Sequence, residues 1–160
     1  MKISRLSLLI PVALLASACG SPTDPSTEPA SFTHTVSFGF CNPFSYCSSR
    51  LEVSPGLAVL TYESRERGPM VQRRALDAAQ WSRVASALDA DGLRALPDVV
   101  GCPDCADGGA EALRVVFGDG RSDAVTFEYG DDVAGIQALV DALREIRAAF
   151  PPPPPLPPIR

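Results

Sequence analysis

Four of this chain's five cysteines fall in two closely spaced pairs, Cys41-x5-Cys47 and Cys102-x2-Cys105. Thiols at such spacings support three chemistries. They can close structural disulfides, the first reading for an even number of cysteines in an oxidising compartment. They can hold zinc as four thiolates, for which the second pair is well spaced and the first is loose. Alternatively, Cys102-Pro103-Asp104-Cys105 can cycle as a redox dithiol, which requires its first cysteine at a helix N-terminus where the dipole lowers the thiol pKa. Gly108 and Gly109 follow too closely to propagate a helix, and Asp104 and Asp107 oppose a thiolate. Structural disulfides are the preferred reading. Of the three possible pairings, the short spacings lean towards Cys41–Cys47 and Cys102–Cys105.

The other reactive side chains form no recognisable set. Asp98, Asp104, Asp107 and Glu111 share one loop, but not at the spacing of a calcium-binding EF-hand. Such Asp-Gly and Pro-Asp pairs are ordinary turn formers, so no metal site is assigned. The only histidine, His34, reads as a solvated residue ahead of the first strand. No nucleophile elbow, P-loop or dinucleotide fingerprint is present. Neither enzyme activity nor a cofactor is expected, although spacing leaves a paired-carboxylate chemistry open.

The fifth cysteine, Cys19, ends a different pattern. Lys2 and Arg5 precede a short apolar run from Leu8 to Leu15, then Ala16-Ser17-Ala18. A run of about eight residues is too short to span a bilayer, which needs about 20, and reads as an export signal over residues 1–18. Small residues directly before Cys19 resemble the lipobox of bacterial lipoproteins, with Ala16 where leucine is commonest. The resemblance implies acylation of Cys19, with palmitate-like chains anchoring the protein to a membrane. The alternative is plain cleavage after Ala18. Gly20, not Asp, follows the cysteine, which by similarity to lipoproteins of two-membrane bacteria implies the outer membrane.

Loss of residues 1–18 removes the only lysine. It leaves 12 arginines (14 basic residues less Lys2 and Arg5) against 19 acids, net −7. That balance argues against nucleic acid as a partner, since nucleic-acid binding needs clustered cations.

The elements that must position these residues follow from hydrophobic period. Residues 19–31 are Pro/Ser/Thr-rich and nearly devoid of apolar groups, a disordered tether. Residues 151–160 open with five prolines, a polyproline tail. Between them, residues 32–150 form one domain. Val36, Phe38 and Phe40 alternate as the inner face of a strand over 35–40. Residues 50–53 and 57–62, joined by Ser54-Pro55-Gly56, make a hairpin, and 70–74 a weak further strand. Asp77 caps a helix with Gln80 reciprocating; Trp81, Val84 and Leu88 form its apolar face, and Asp91-Gly92 ends it.

Leu113, Val115 and Phe117, then Val125, Phe127 and Tyr129, form a second hairpin across Gly118-Asp119-Gly120-Arg121. Gly130-Asp131-Asp132 starts the last helix, apolar from Val133 to Phe150, with acids at its first turn and Arg144 and Arg147 near its end. The order β-β-β-(β)-α-β-β-α predicts an α+β fold: an antiparallel sheet of about five or six strands with two helices packed on one face. Phe44 and Tyr46, in the loop between Cys41 and Cys47, are candidates for an exposed binding tip.

The run FGFCNPFSYCSSRLEVSPGLAVLTYES, the Trp81 helix, the loop LPDVVGCPDCADGGAE and the closing hairpin and helix resemble small lipoprotein domains of GC-rich bacteria, a family without an assigned activity. The resemblance covers residues 35–150 and implies compartment and architecture, not a site. The expectation is an extracytoplasmic, lipid-anchored, non-enzymatic module that binds an envelope protein or polymer. The alternatives are a thiol–disulfide protein using Cys102 and Cys105, or an inhibitor of a cell-wall or secreted enzyme.

Overall fold

Side chains alternate across a strand, so a run with apolar residues at every second position must bury one face. The computed structural model describes residues 27–41, 45–66 and 68–155, and it places six such runs in one antiparallel sheet. The strands are β1 (Pro29–Ser37), β2 (Tyr46–Ser54), β3 (Leu57–Ser64), β4 (Met70–Ala75), β5 (Ala110–Phe117) and β6 (Ser122–Glu128), in the order β4-β3-β2-β1-β5-β6. The central strand β1 pairs with β2 on one side and β5 on the other. Helices α1 (Ala78–Ser86), α2 (Ala90–Ala95) and α3 (Gln137–Ala148) complete the α+β fold. The short α2 is additional to the two helices expected.

The inner face carries Phe32, Leu51, Val53, Leu60, Leu113, Val115 and Phe127, all sealed from solvent in one cluster with Val84, Leu93, Leu139 and Leu143 of the helices. Trp81 packs on this cluster with its ring 5.5 Å from Phe32, the core anchor its spacing suggested. The outer face presents the exposed charges Arg50, Glu52 and Arg114. One outer strand, β4, carries Arg73 and Arg74, charges that discourage edge pairing. The other, β6, is covered where Val99 bridges to Thr126.

Several boundaries differ from expectation, each for a local reason. Strand β1 starts at Pro29 and ends at Ser37, so the ordered domain takes in residues 29–31 of the expected tether. Double-sided pairing explains this: Phe32 is held by Val53 and Val115 at once. Phe38 and Phe40 lie beyond the ladder and are exposed, not core, because the chain turns there into the Cys41–Cys47 loop.

Helix α1 has the capping box read from Asp77 and Gln80, with reciprocal bonds of 2.8 and 3.1 Å. It stops at Ser86, and Asp89 caps a new start by accepting the Gly92 N–H at 2.8 Å. Asp91-Gly92 therefore lies inside α2 and does not end a helix. Helix α3 begins at Gln137, not Gly130, and carries no acid in its first turn. Gly135, at φ +89°, sits in a conformation that only glycine adopts freely and lies against Gly92. That contact holds residues 134–136 in a turn before the helix can start.

Helix α3 crosses the strands. Arg144 meets Glu111 on β5, Arg147 meets His34 on β1 and Ser49 on β2, and Pro151 O accepts from Gln72 Nε2 on β4. Strand β1 also gives the sheet two distinct ends. Its start adjoins the 118–121 turn, where Gly118 N–H donates to Glu28 O, and the Pro55-Gly56 turn. Its finish, about 27 Å away at 3.3 Å per residue, adjoins both cysteine loops.

Candidate functional site

Both cysteine pairs close locally, Cys41 with Cys47 and Cys102 with Cys105. The two resulting loops lie side by side because Ser37, at the end of β1, pairs with Ala110, at the start of β5. Gly39 of the first loop packs directly on the Asp107 backbone of the second, leaving no room for a Cβ. Gly109, at φ +87°, brings its backbone against Ser37 O, where a Cβ would come within 2.6 Å. Cys105 opens only a three-residue 3-10 turn, with Asp104, Ala106 and Asp107 all at positive φ. No α-helix starts at the dithiol, so the dipole that would activate a redox cysteine is not supplied there.

Beneath these loops, between the sheet and α3, lies a buried polar cluster that the sequence reading did not assemble. His34 was expected on the surface; it is instead inside β1 and 0% exposed. Its Nε2 is 2.6 Å from Glu111 Oε2, and Glu111 is 2% exposed. Glu111 Oε1 also accepts from Arg144 Nη2 at 2.8 Å and from the Gly130 N–H at 3.0 Å. Arg147 donates from Nη1 to Ser49 Oγ at 2.6 Å and from Nη2 to His34 O at 2.6 Å. Its Nη2 also lies 3.4 Å from His34 Nδ1.

These contacts specify protonation states. Burial would raise the Glu111 pKa, but the hydrogen bonds from His34, Arg144 and Gly130 outweigh it and hold the carboxyl at about 2. Burial lowers the His34 pKa, with Arg147 adding to the shift and Glu111 opposing it. Neutral His34 with its proton on Nε2 satisfies both neighbours: it donates to Glu111 and offers Nδ1 towards Arg147. With both ring nitrogens engaged, His34 has no free nitrogen to activate a nucleophile. Ser49, the nearby hydroxyl, is held by Arg147. The contacts fix the position and the charge of these groups.

The cluster floors an open cleft of about 340 Å³, walled by Val36, Phe38, Tyr129 and Gly130. Phe38 and Tyr129 pack edge to face, with centroids 6.1 Å apart, and are 41% and 51% exposed. Phe40, two residues after Phe38 in the chain, is 82% exposed. Among the described residues the exposed aromatic groups are therefore Phe38, Phe40 and Tyr129. Tyr46, expected at a loop tip, instead opens β2 and is half-buried with its ring 5.4 Å from Tyr62. Phe44 and the lipidation candidate Cys19 lie outside the described residues.

The missed residues had a signal. Glu111 shares strand parity with Leu113, Val115 and Phe117, and His34 with Phe32 and Val36. A charge or imidazole on an apolar face is the informative kind of burial. No protein-family model matches the chain, and no curated protein matches it.

Proposed function

We propose that this chain is an extracytoplasmic lipoprotein, anchored through Cys19, whose domain is a non-enzymatic binding module for another component of the cell envelope. The observation that carries the reading is the polarity of the sheet. The tether enters at Pro29, while the exposed aromatics, the polar cleft and both disulfide loops gather at the opposite end. A domain held at one end and dressed for contact at the other suits capture of a partner away from the membrane surface.

Two further features support it. The leader, from Lys2 to Cys19, has the order of charge, apolar run and small residues that export requires. Disulfides belong to oxidising compartments, and two are present. Among the described residues no helix is long and apolar enough to cross a membrane.

The test is made on intact cells. A photo-crosslinking residue in place of Phe40 captures a defined partner, the same residue in place of Asp119 at the tether end does not, and the mature N-terminus carries acyl mass on Cys19. Equal capture from both ends, or a free thiol at position 19 on unprocessed cytosolic protein, would falsify the reading.

A further inference from the structure

Charge accounting within the cleft singles out one group. Arg144 is matched by Glu111 at 2.8 Å and by Asp141 at 3.6 Å. Arg147 reaches only neutral partners, Ser49 Oγ and the His34 carbonyl, and among the described residues no ion pair joins it to a carboxylate. Its Nε is buried without a hydrogen-bond partner. Arginine keeps its proton in proteins, and a largely buried cation with no directly bonded counter-ion is costly unless something pairs with it. Tyr62, Tyr129 and neutral His34 supply no negative charge, and Glu111, which attracts Arg147 without bonding to it, already has its oxygens on Arg144 and His34.

We propose that the cleft binds one carboxylate carried on an apolar or aromatic group, with Arg147 pairing the anion and Phe38, Tyr129 and Val36 packing against the attached group. This rests on the reading of this end of the sheet as the binding end. A guanidinium with no directly bonded counter-ion suits a monoanion, met by the N–H groups that Ser49 and the His34 carbonyl leave free. A phosphate dianion would overshoot that charge beside ionised Glu111, on a protein that is already acidic. The cleft volume of about 340 Å³ lies at the small end for ligand pockets, enough for one residue-sized group. Such a carboxylate can come from a small acid or from the C-terminus of a peptide.

The test is calorimetric titration of the full chain in detergent with N-acetyl-phenylalanine and its amide, and with a short peptide ending in phenylalanine and its amidated form. The expected result is that an acid binds about tenfold or more tightly than its amide, the size of a charge-assisted pair. Whichever acid does so identifies the source. Arg147→Gln should lose that preference while keeping its circular dichroism spectrum, and Phe38→Ala should weaken both acid and amide. Acid and amide binding alike, or inorganic phosphate displacing the acids at lower concentration than they bind, overturns the proposal. The acid–amide comparison uses unaltered protein, so it stands even if Arg147→Gln fails to fold. It is also independent of cellular crosslinking, so either reading can fail alone.

Discussion

His34 and Glu111 stand diagonally across the β1–β5 ladder, on one face and 77 residues apart in sequence, with Nε2 and Oε2 2.6 Å apart and both side chains shielded from water. The contact ties the central strand to the strand that carries the second cysteine loop. Through Arg144 and Arg147 it also ties both to α3. A polar contact this enclosed has consequences for stability and pH.

Removing Glu111 leaves Arg144 and His34 without their shared acceptor. Glu111→Ala should destabilise the fold by roughly 3–5 kcal/mol, the usual cost of breaking a buried pair from one side. Urea unfolding of the variant against the parent chain measures it. A loss below about 1 kcal/mol, the range of exposed pairs, would mean the cluster is not enclosed.

Acid should weaken the parent protein in two stages. Glu111 is held at about 2, below its ordinary 4.5, and His34 lies below its ordinary 6.5. Both groups take up protons more readily in the unfolded chain, so each contributes stability above its unfolded value and loses it as pH falls. Stability should be level above about pH 7, decline below 6.5 through His34, and decline more steeply from 4.5 towards 2 through Glu111. Urea midpoints across that range check the order, and His34→Gln should remove the first decline only.

Reduction should raise the mass of the domain by four hydrogens, two for each disulfide. Because both rings are short, each bridge should contribute only about 2 kcal/mol in the chain-entropy account. Paired Cys→Ser replacement at 41 and 47, or at 102 and 105, should therefore lower the melting temperature without abolishing folding. Alkylation of these cysteines in unreduced protein would contradict the pairing.

Gly39→Ala should disturb the aromatic end while sparing the core. The added methyl meets the Asp107 backbone, which cannot swing aside as a side chain would. In a proton–nitrogen spectrum, shifts should concentrate at residues 38–41 and 104–110, with Leu51 and Leu139 little changed. Shifts spread evenly through the core would show that the two loops do not abut.

The strands were readable because each keeps a period of two. Leu113, Val115 and Phe117, and the Gly118–Arg121 turn after them, identify β5 and β6 without further help. Asp77 and Gln80 announce the start of α1 in the same local way. Where local signals misled, a distant contact had the deciding weight. Gly135 lying on Gly92 delays α3, and pairing on both flanks extends β1 back to Pro29.

Composition and period alone were enough to determine the α+β class, the hairpins and the first cap, because each is written in neighbouring residues. The site was decided only in three dimensions. His34, Glu111, Arg144 and Arg147 come from β1, β5 and α3, and only the two arginines, three apart on α3, are linked by spacing. Only the strand order, with β5 placed beside β1 and α3 laid across both, brings an imidazole, a carboxylate and two guanidinium groups into one enclosed cluster.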